Sequence, residues 1–242
     1  MPTPGSRPPE PFPKRGVPST GECARLSGMN ADLWLPLPAG LVGLALGVPL
    51  TGLAARMLRA PRDFGWRVRL AASLATGVLF ALLALGFGPS PELPAYLLLA
   101  AASVALSIVD VTEKRLPNPL LLATTVIVAV ALVIAAAVGA DWGAASGALL
   151  GGAALFALYL VLALISPAGI GMGDVKLAAV IGLALGYLGW DTWLIGLVAA
   201  FLVGSAISLV ALALRRVSLR GSLPFGPSML AGAYIAILVA VL

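Results

Sequence analysis

Two aspartates stand where carboxylates are costly. Asp110 lies in "LSIVDVTEKRLPNP" and Asp174 in "GIGMGDVKLAAVIG", each at the edge of an apolar stretch of membrane length. A charged group in such a setting is expensive and is kept for function by default. Two carboxylates held together can act as an acid–base pair, one taking a proton from water while the other donates to a carbonyl. Like charges at close range cannot both ionise easily, so such a pair shares a proton and titrates as a unit. That is the chemistry of an aspartic protease. The chain has no histidine and one cysteine, Cys23. A Ser-His-Asp triad, a Cys/His zinc site and a disulfide are therefore excluded, and no metal or cofactor is expected.

The other acids sort by position. Glu10, Glu22 and Asp32 precede the first apolar stretch, and Asp63 sits in an arginine-rich connection. Glu92, Asp141 and Asp191 read as solvated charges in short loops, as does Glu113 beside Lys114 and Arg115. For Asp174 a second reading stays open: it stands at a helix start, where it would cap free backbone N–H groups and meet the positive end of the dipole. Asp110 stands near a helix end, where the dipole disfavours negative charge, so capping does not explain it.

The elements that must position this pair are membrane helices. Of 242 residues, 60% are hydrophobic and 10% charged, with a mean hydropathy of +1.05. A soluble domain is nearer about a quarter charged. Apolar windows of spanning length fall at about 33–55, 70–88, 95–112, 119–139, 143–165, 174–189, 193–214 and 224–242, with 95–112 and 174–189 marginal. Continuous apolar runs without period-2 alternation exclude a β-barrel. The expected fold is an all-α polytopic bundle of about eight transmembrane helices over 33–242, preceded by a disordered, proline-rich tail over 1–32. Met29 is an expected alternative start, with 1–28 an upstream misreading.

Basic residues set the threading. Arg56, Arg59, Arg62, Arg67 and Arg69 follow the first span, Lys114 and Arg115 the third, Lys176 the fifth, and Arg215, Arg216 and Arg220 the seventh. The intervening connections "GPSPELP", "ADWG" and "GWDT" have neither lysine nor arginine. The positive-inside rule puts the first set in the cytoplasm and both termini outside. It also brings Asp110 and Asp174 to the same, cytoplasmic, face, although neither entered the argument. Irregular backbone gathers there too. Gly171 and Gly173 flank Met172 and permit positive φ and close approach. Pro117 and Asn118 lie in "RLPNP", and Pro224 and Gly226 in "SLPFGPSML". Broken backbone at a membrane edge is tolerated where it lines a cavity.

In combination these stretches resemble a known family. "GMGDVKL" is similar to the Gly-x-Gly-Asp motif of intramembrane aspartic proteases, "DVTEKRLPN" to the D-x(6)-P-N segment of type IV prepilin peptidases, and "LPFGPSMLAGA" to their C-terminal motif. The presenilin and signal-peptide-peptidase branch fits less well, because Val109 precedes Asp110 where that branch has tyrosine. The resemblance implies a peptidase of the cytoplasmic (inner) membrane that removes the basic leader from prepilins or pseudopilins. It implies Asp110 and Asp174 as the catalytic pair, with Gly171, Gly173, Lys176, Pro117, Asn118, Pro224 and Gly226 as supporting motif positions. Its partners would be the pilin substrate and the lipid bilayer, with no nucleic acid. Many members also methylate the new N-terminus through a Cys-x-x-Cys domain between the first two helices. Here that connection is "RMLRAPRDFGWRVR" without cysteine, so N-methylation is not expected. Two other classes fit the residues less well: a proton-coupled transporter using the paired aspartates, and a silent assembly factor.

Overall fold

The computed structural model describes residues 34–60, 62–166, 170–214 and 224–242. The expected tail over 1–32 lies outside them. The described chain is all helical: α1 (Pro36–Met57), α2 (Trp66–Phe87), α3 (Leu93–Glu113), α4 (Asn118–Gly139), α5 (Trp142–Ile165), α6 (Met172–Leu188), α7 (Trp190–Ala213) and α8 (Gly226–Val241). Six of the eight are long and apolar enough to cross a membrane. The chain is a polytopic, all-α membrane protein.

Helix boundaries follow local chemistry. Prolines stand in the first turns of α1, α3, α4 and α8, where a missing N–H costs nothing. Lys114 and Ala140, both left-handed, end α3 and α4. The expected loop "GWDT" is absent: Gly189, with φ +119, turns the chain alone, so Asp191 falls in the first turn of α7. Asp141 is a cap rather than a loop charge, its carboxylate accepting the Ala144 N–H at 3.0 Å. The span over 95–112 is not marginal either, because α3 runs 21 residues. Conversely, α8 is 16 residues long and α6 is 17.

The short α6 is the hub. It packs against α4, α5, α7 and α8, and Val175, Leu177, Ala178, Val180, Ala184 and Leu185 along it are each at most 1% exposed. A helix sheathed by protein need not match the thickness of the lipid, which is why 17 residues suffice. Its contact with α5 is a glycine seam. A Cβ on Gly151 would lie 2.7 Å from the Gly182 carbonyl oxygen and 2.8 Å from the Gly186 Cα, and one on Gly186 would press into the Gly147 carbonyl. Gly147/Gly151 and Gly182/Gly186 are spaced by four, so each pair presents one face of its helix. Small residues at this spacing bring membrane helices into backbone contact, where dispersion stabilises association without a hydrophobic drive. Buried polar bonds fix the register: Tyr96 Oη donates to the Ala184 carbonyl at 2.7 Å and Trp193 Nε1 to the Gly151 carbonyl at 3.0 Å.

The remaining helices close around this hub. The α1–α2 hairpin packs on α3, and α8 touches both α3 and α6. Glu113 is not a free loop charge. It accepts the Arg59 N–H at 2.8 Å and pairs with Arg115, whose Nη2 also reaches the Met57 carbonyl at 3.3 Å. That clasp ties the end of α1 to the end of α3.

Candidate active site

Three helix ends meet at one end of the bundle. Asp110 is in the last turn of α3, its carbonyl accepting the Lys114 N–H at 2.7 Å. Asp110 is buried, 4% exposed, and its carboxylate accepts the Gly226 N–H at 3.1 Å. Gly226 opens α8, so the positive end of the α8 dipole faces a carboxylate that its own helix disfavours. Glycine is required there by approach, since a Cβ would stand 2.8 Å from the Asp110 Oδ2.

Asp174 occupies the first turn of α6. It accepts the Gly171 N–H at 3.2 Å through Oδ2, while its own N–H donates to the Gly171 carbonyl at 3.0 Å. The capping reading of Asp174 is therefore realised, and it coexists with a second relationship: Asp110 and Asp174 lie close enough for their charges to interact. Both carboxylates face a helix N-terminus, so the dipole contrast expected between them is levelled.

The loops hold this meeting in place. A Cβ on Gly173 would come within 3.0 Å of the Leu116 Cβ, so the turn after Asp110 rests directly on the start of α6. Lys176 Nζ donates to Asn118 Oδ1 at 2.7 Å, joining the motif around Asp174 to the one after Asp110. Pro117, buried, is the N-cap of α4. Pro224 stands two residues ahead of Gly226, outside the helix. The positive φ expected around Met172 does not occur: Gly171 has φ −79 and Gly173 is helical. Among the described glycines only Gly88 and Gly189 have positive φ.

Sequence reasoning missed one side of the site. Tyr159 of α5 is 1% exposed and within electrostatic reach of Asp174. Its ring lies 6.0 Å from Phe201 and 6.4 Å from Phe225, the residue before Gly226. The three rings form an aromatic cluster that begins beside Asp174. The aromatic residues are visible in the sequence, but they come from two helices and the residue that precedes a third, and no spacing links them. On another flank, a cavity of about 620 Å³ is lined by Asn118, Leu122, Thr125, Phe156, Lys176 and Ala179. Among the described residues no cluster of three or more Asp, Glu, Cys or His is placed to hold a metal ion.

The sequence that builds this site matches known proteins. Residues 97–209 match the model of the type IV leader peptidase family. A prepilin leader peptidase/N-methyltransferase of Bacillus subtilis (strain 168) is 34% identical over 172 residues, covering 69% of this chain and 64% of that protein. Its namesake in Stutzerimonas stutzeri is 32% identical over 170 residues, 68% of this chain and 56% of that one. The Pseudomonas aeruginosa protein of that name is 30% identical over 166 residues, again 68% and 56%. The chain thus spans less than two thirds of the length of these relatives. No solved structure matches it. Through residues 97–209, which carry both aspartates, this chain belongs to the type IV leader peptidase family.

Proposed function

We propose that this chain is an aspartic endopeptidase that cleaves the leader from a type IV prepilin or pseudopilin at the cytoplasmic face of the inner membrane. One observation carries the reading: Asp110 and Asp174 stand at the same end of the bundle, within electrostatic reach of one another, and each accepts a backbone N–H at a helix start. In this mechanism one carboxylate removes a proton from water as its oxygen adds to the scissile carbonyl. The other protonates the carbonyl oxygen, and the tetrahedral adduct then collapses with transfer of a proton to the leaving nitrogen. The cavity beside Lys176 and Asn118 offers an apolar berth to residues flanking the scissile bond.

The orientation rests on the basic residues Arg56 to Arg69, Lys114, Arg115 and Lys176, which by helix order fall at the same end as the acids; Arg215, Arg216 and Arg220 lie outside the described residues. The absence of N-methylation rests on the α1–α2 connection: only residues 58–65 separate Met57 from Trp66, too few for a further domain. A proton-coupled transporter would hold its acids near mid-depth, whereas Asp110 is in the last turn of its helix and Asp174 in the first turn of its own. The test is incubation of the detergent-purified protein with a prepilin and S-adenosylmethionine, with the product N-terminus read by mass spectrometry. A trimmed, unmethylated product is expected. An intact prepilin would sink the peptidase reading, and an added methyl would sink the second part alone.

Two variants probe the supports. Gly226→Ala drives a methyl against the Asp110 carboxylate, and misplacement on the ångström scale costs about a hundredfold in rate. We expect a fall in kcat near that size with thermal stability preserved; unchanged kcat would mean the α8 start does not set the carboxylate. Asn118→Ala and Lys176→Met each remove one 2.7 Å bond and should each slow cleavage by up to about tenfold. Because they act through the same contact, the double variant should be no slower than the worse single one. Multiplicative losses would show that the two residues act independently.

A further inference from the structure

The opposite flank of the bundle carries a groove that the peptidase reading leaves unused. Its inner part, about 410 Å³, runs between α2, α3 and α8 and is lined by Val68, Ala75, Leu79, Ser107, Ile108 and Leu230 among others. An outer part of about 470 Å³ shares Val68, Ser107 and Ile108 with it and reaches Arg62, Phe64 and Thr112. The two adjoin along these three residues. Val68 and Leu79 stand about three turns apart on α2, about 16 Å at 1.5 Å per residue. That is close to one leaflet, half of the ~30 Å hydrocarbon thickness.

Shape and charge both change along this length. The inner trough is apolar and floored by small residues of α2, including Ala71, Ala72 and Ala75. Along that length a single acyl chain, slender and flexible, can follow the small-residue floor. At the outer end the Arg62 guanidinium lies over the Phe64 ring, 5.6 Å from its centroid. Arg67 follows in the first turn of α2. Two nearby acids are turned elsewhere: Asp63 lines a separate hollow with Arg69 against α1, and Glu113 is engaged by Arg115 and the Arg59 N–H. Basic pockets between membrane helices recognise anionic headgroups.

We infer that this trough binds one anionic phospholipid from the leaflet on the basic side, with an acyl chain between α2 and α3/α8 and its phosphate against Arg62. The lipid would then lie beside Pro227, next to the glycine that holds Asp110. This site does not depend on the protein being a peptidase.

The test is native mass spectrometry of the delipidated full chain titrated with phosphatidylglycerol or phosphatidylcholine of identical acyl chains. One phosphatidylglycerol should bind at least tenfold more tightly than phosphatidylcholine. Arg62→Gln, an exposed change that leaves the packing intact, should bring that preference close to one. Ala75→Phe, also at an exposed position, should fill the trough and weaken both lipids alike. Equal retention of the two lipids by the unaltered chain, or an undiminished preference in Arg62→Gln, would overturn the inference. So would an Ala75→Phe protein that binds lipid normally while its KM for prepilin rises, since that assigns the trough to the substrate.

Discussion

Asp110→Asn and Asp174→Asn should each reduce leader cleavage by at least about a thousandfold, since positioned acid–base groups contribute up to about 10⁴-fold. Asparagine is the informative replacement because it preserves the hydrogen bonds. Its carbonyl oxygen can still accept the Gly226 N–H at position 110 and the Gly171 N–H at position 174, so the three helix ends should remain docked. Asp110→Ala would not be so clean. It would strand a buried N–H, at a cost of about 1–3 kcal/mol, and confuse lost chemistry with lost structure. The measurement is cleavage of a prepilin by detergent-purified variants beside their thermal unfolding. Inactive proteins with unchanged unfolding fit a catalytic pair. If both asparagine variants still cleave, the pair is structural, and the transporter and assembly-factor readings return.

The second large effect is on stability. Gly182→Val should cost about 3 kcal/mol or more, at or above the upper end of overpacking penalties. A Cβ there would press into the Gly151 carbonyl and lie 2.9 Å from both the Gly152 Cα and the Leu155 Cβ. Two of these neighbours are backbone, so no rotamer change relieves the clash and α5 and α6 must separate. Because Asp174 begins α6, activity should fall with the fold. Gly52→Ala is the control. Nothing lies within 4 Å of its new methyl, and alanine is the better helix former by about 1 kcal/mol, so that variant should unfold at the same temperature or slightly higher. Equal behaviour of the two variants in a detergent melt would mean that the seam contributes little.

Much of this protein is legible along the chain, and the parts that are not share a cause. The eight helices could be placed within a few residues because hydropathy and proline/glycine punctuation act over short windows. The misplacements were local conflicts. "GWDT" looked like a loop because its polar residues outweighed the capacity of Gly189 to reverse the chain alone. Asp141 and Glu113 looked solvated because their partners, a backbone N–H and a clasp to α1, are invisible in composition. The glycine seam had a readable signal in its spacing of four, although spacing alone does not say which helix it faces.

The sequence by itself determined that this is a helical membrane protein, that its basic connections alternate, and that Asp110 and Asp174 fall at helix edges on one side. Those properties arise from the free energy of placing each segment in lipid, which is additive along the chain. Only the tertiary structure decided what surrounds the acids. The N–H that holds Asp110 comes from Gly226, 116 residues away. The bond from Lys176 to Asn118 spans 58, and Tyr159, Phe201 and Phe225 converge from α5, α7 and the approach to α8. Contacts of that range depend on which helices pack together, and close packing is a property of two surfaces at once, which no single stretch of sequence contains.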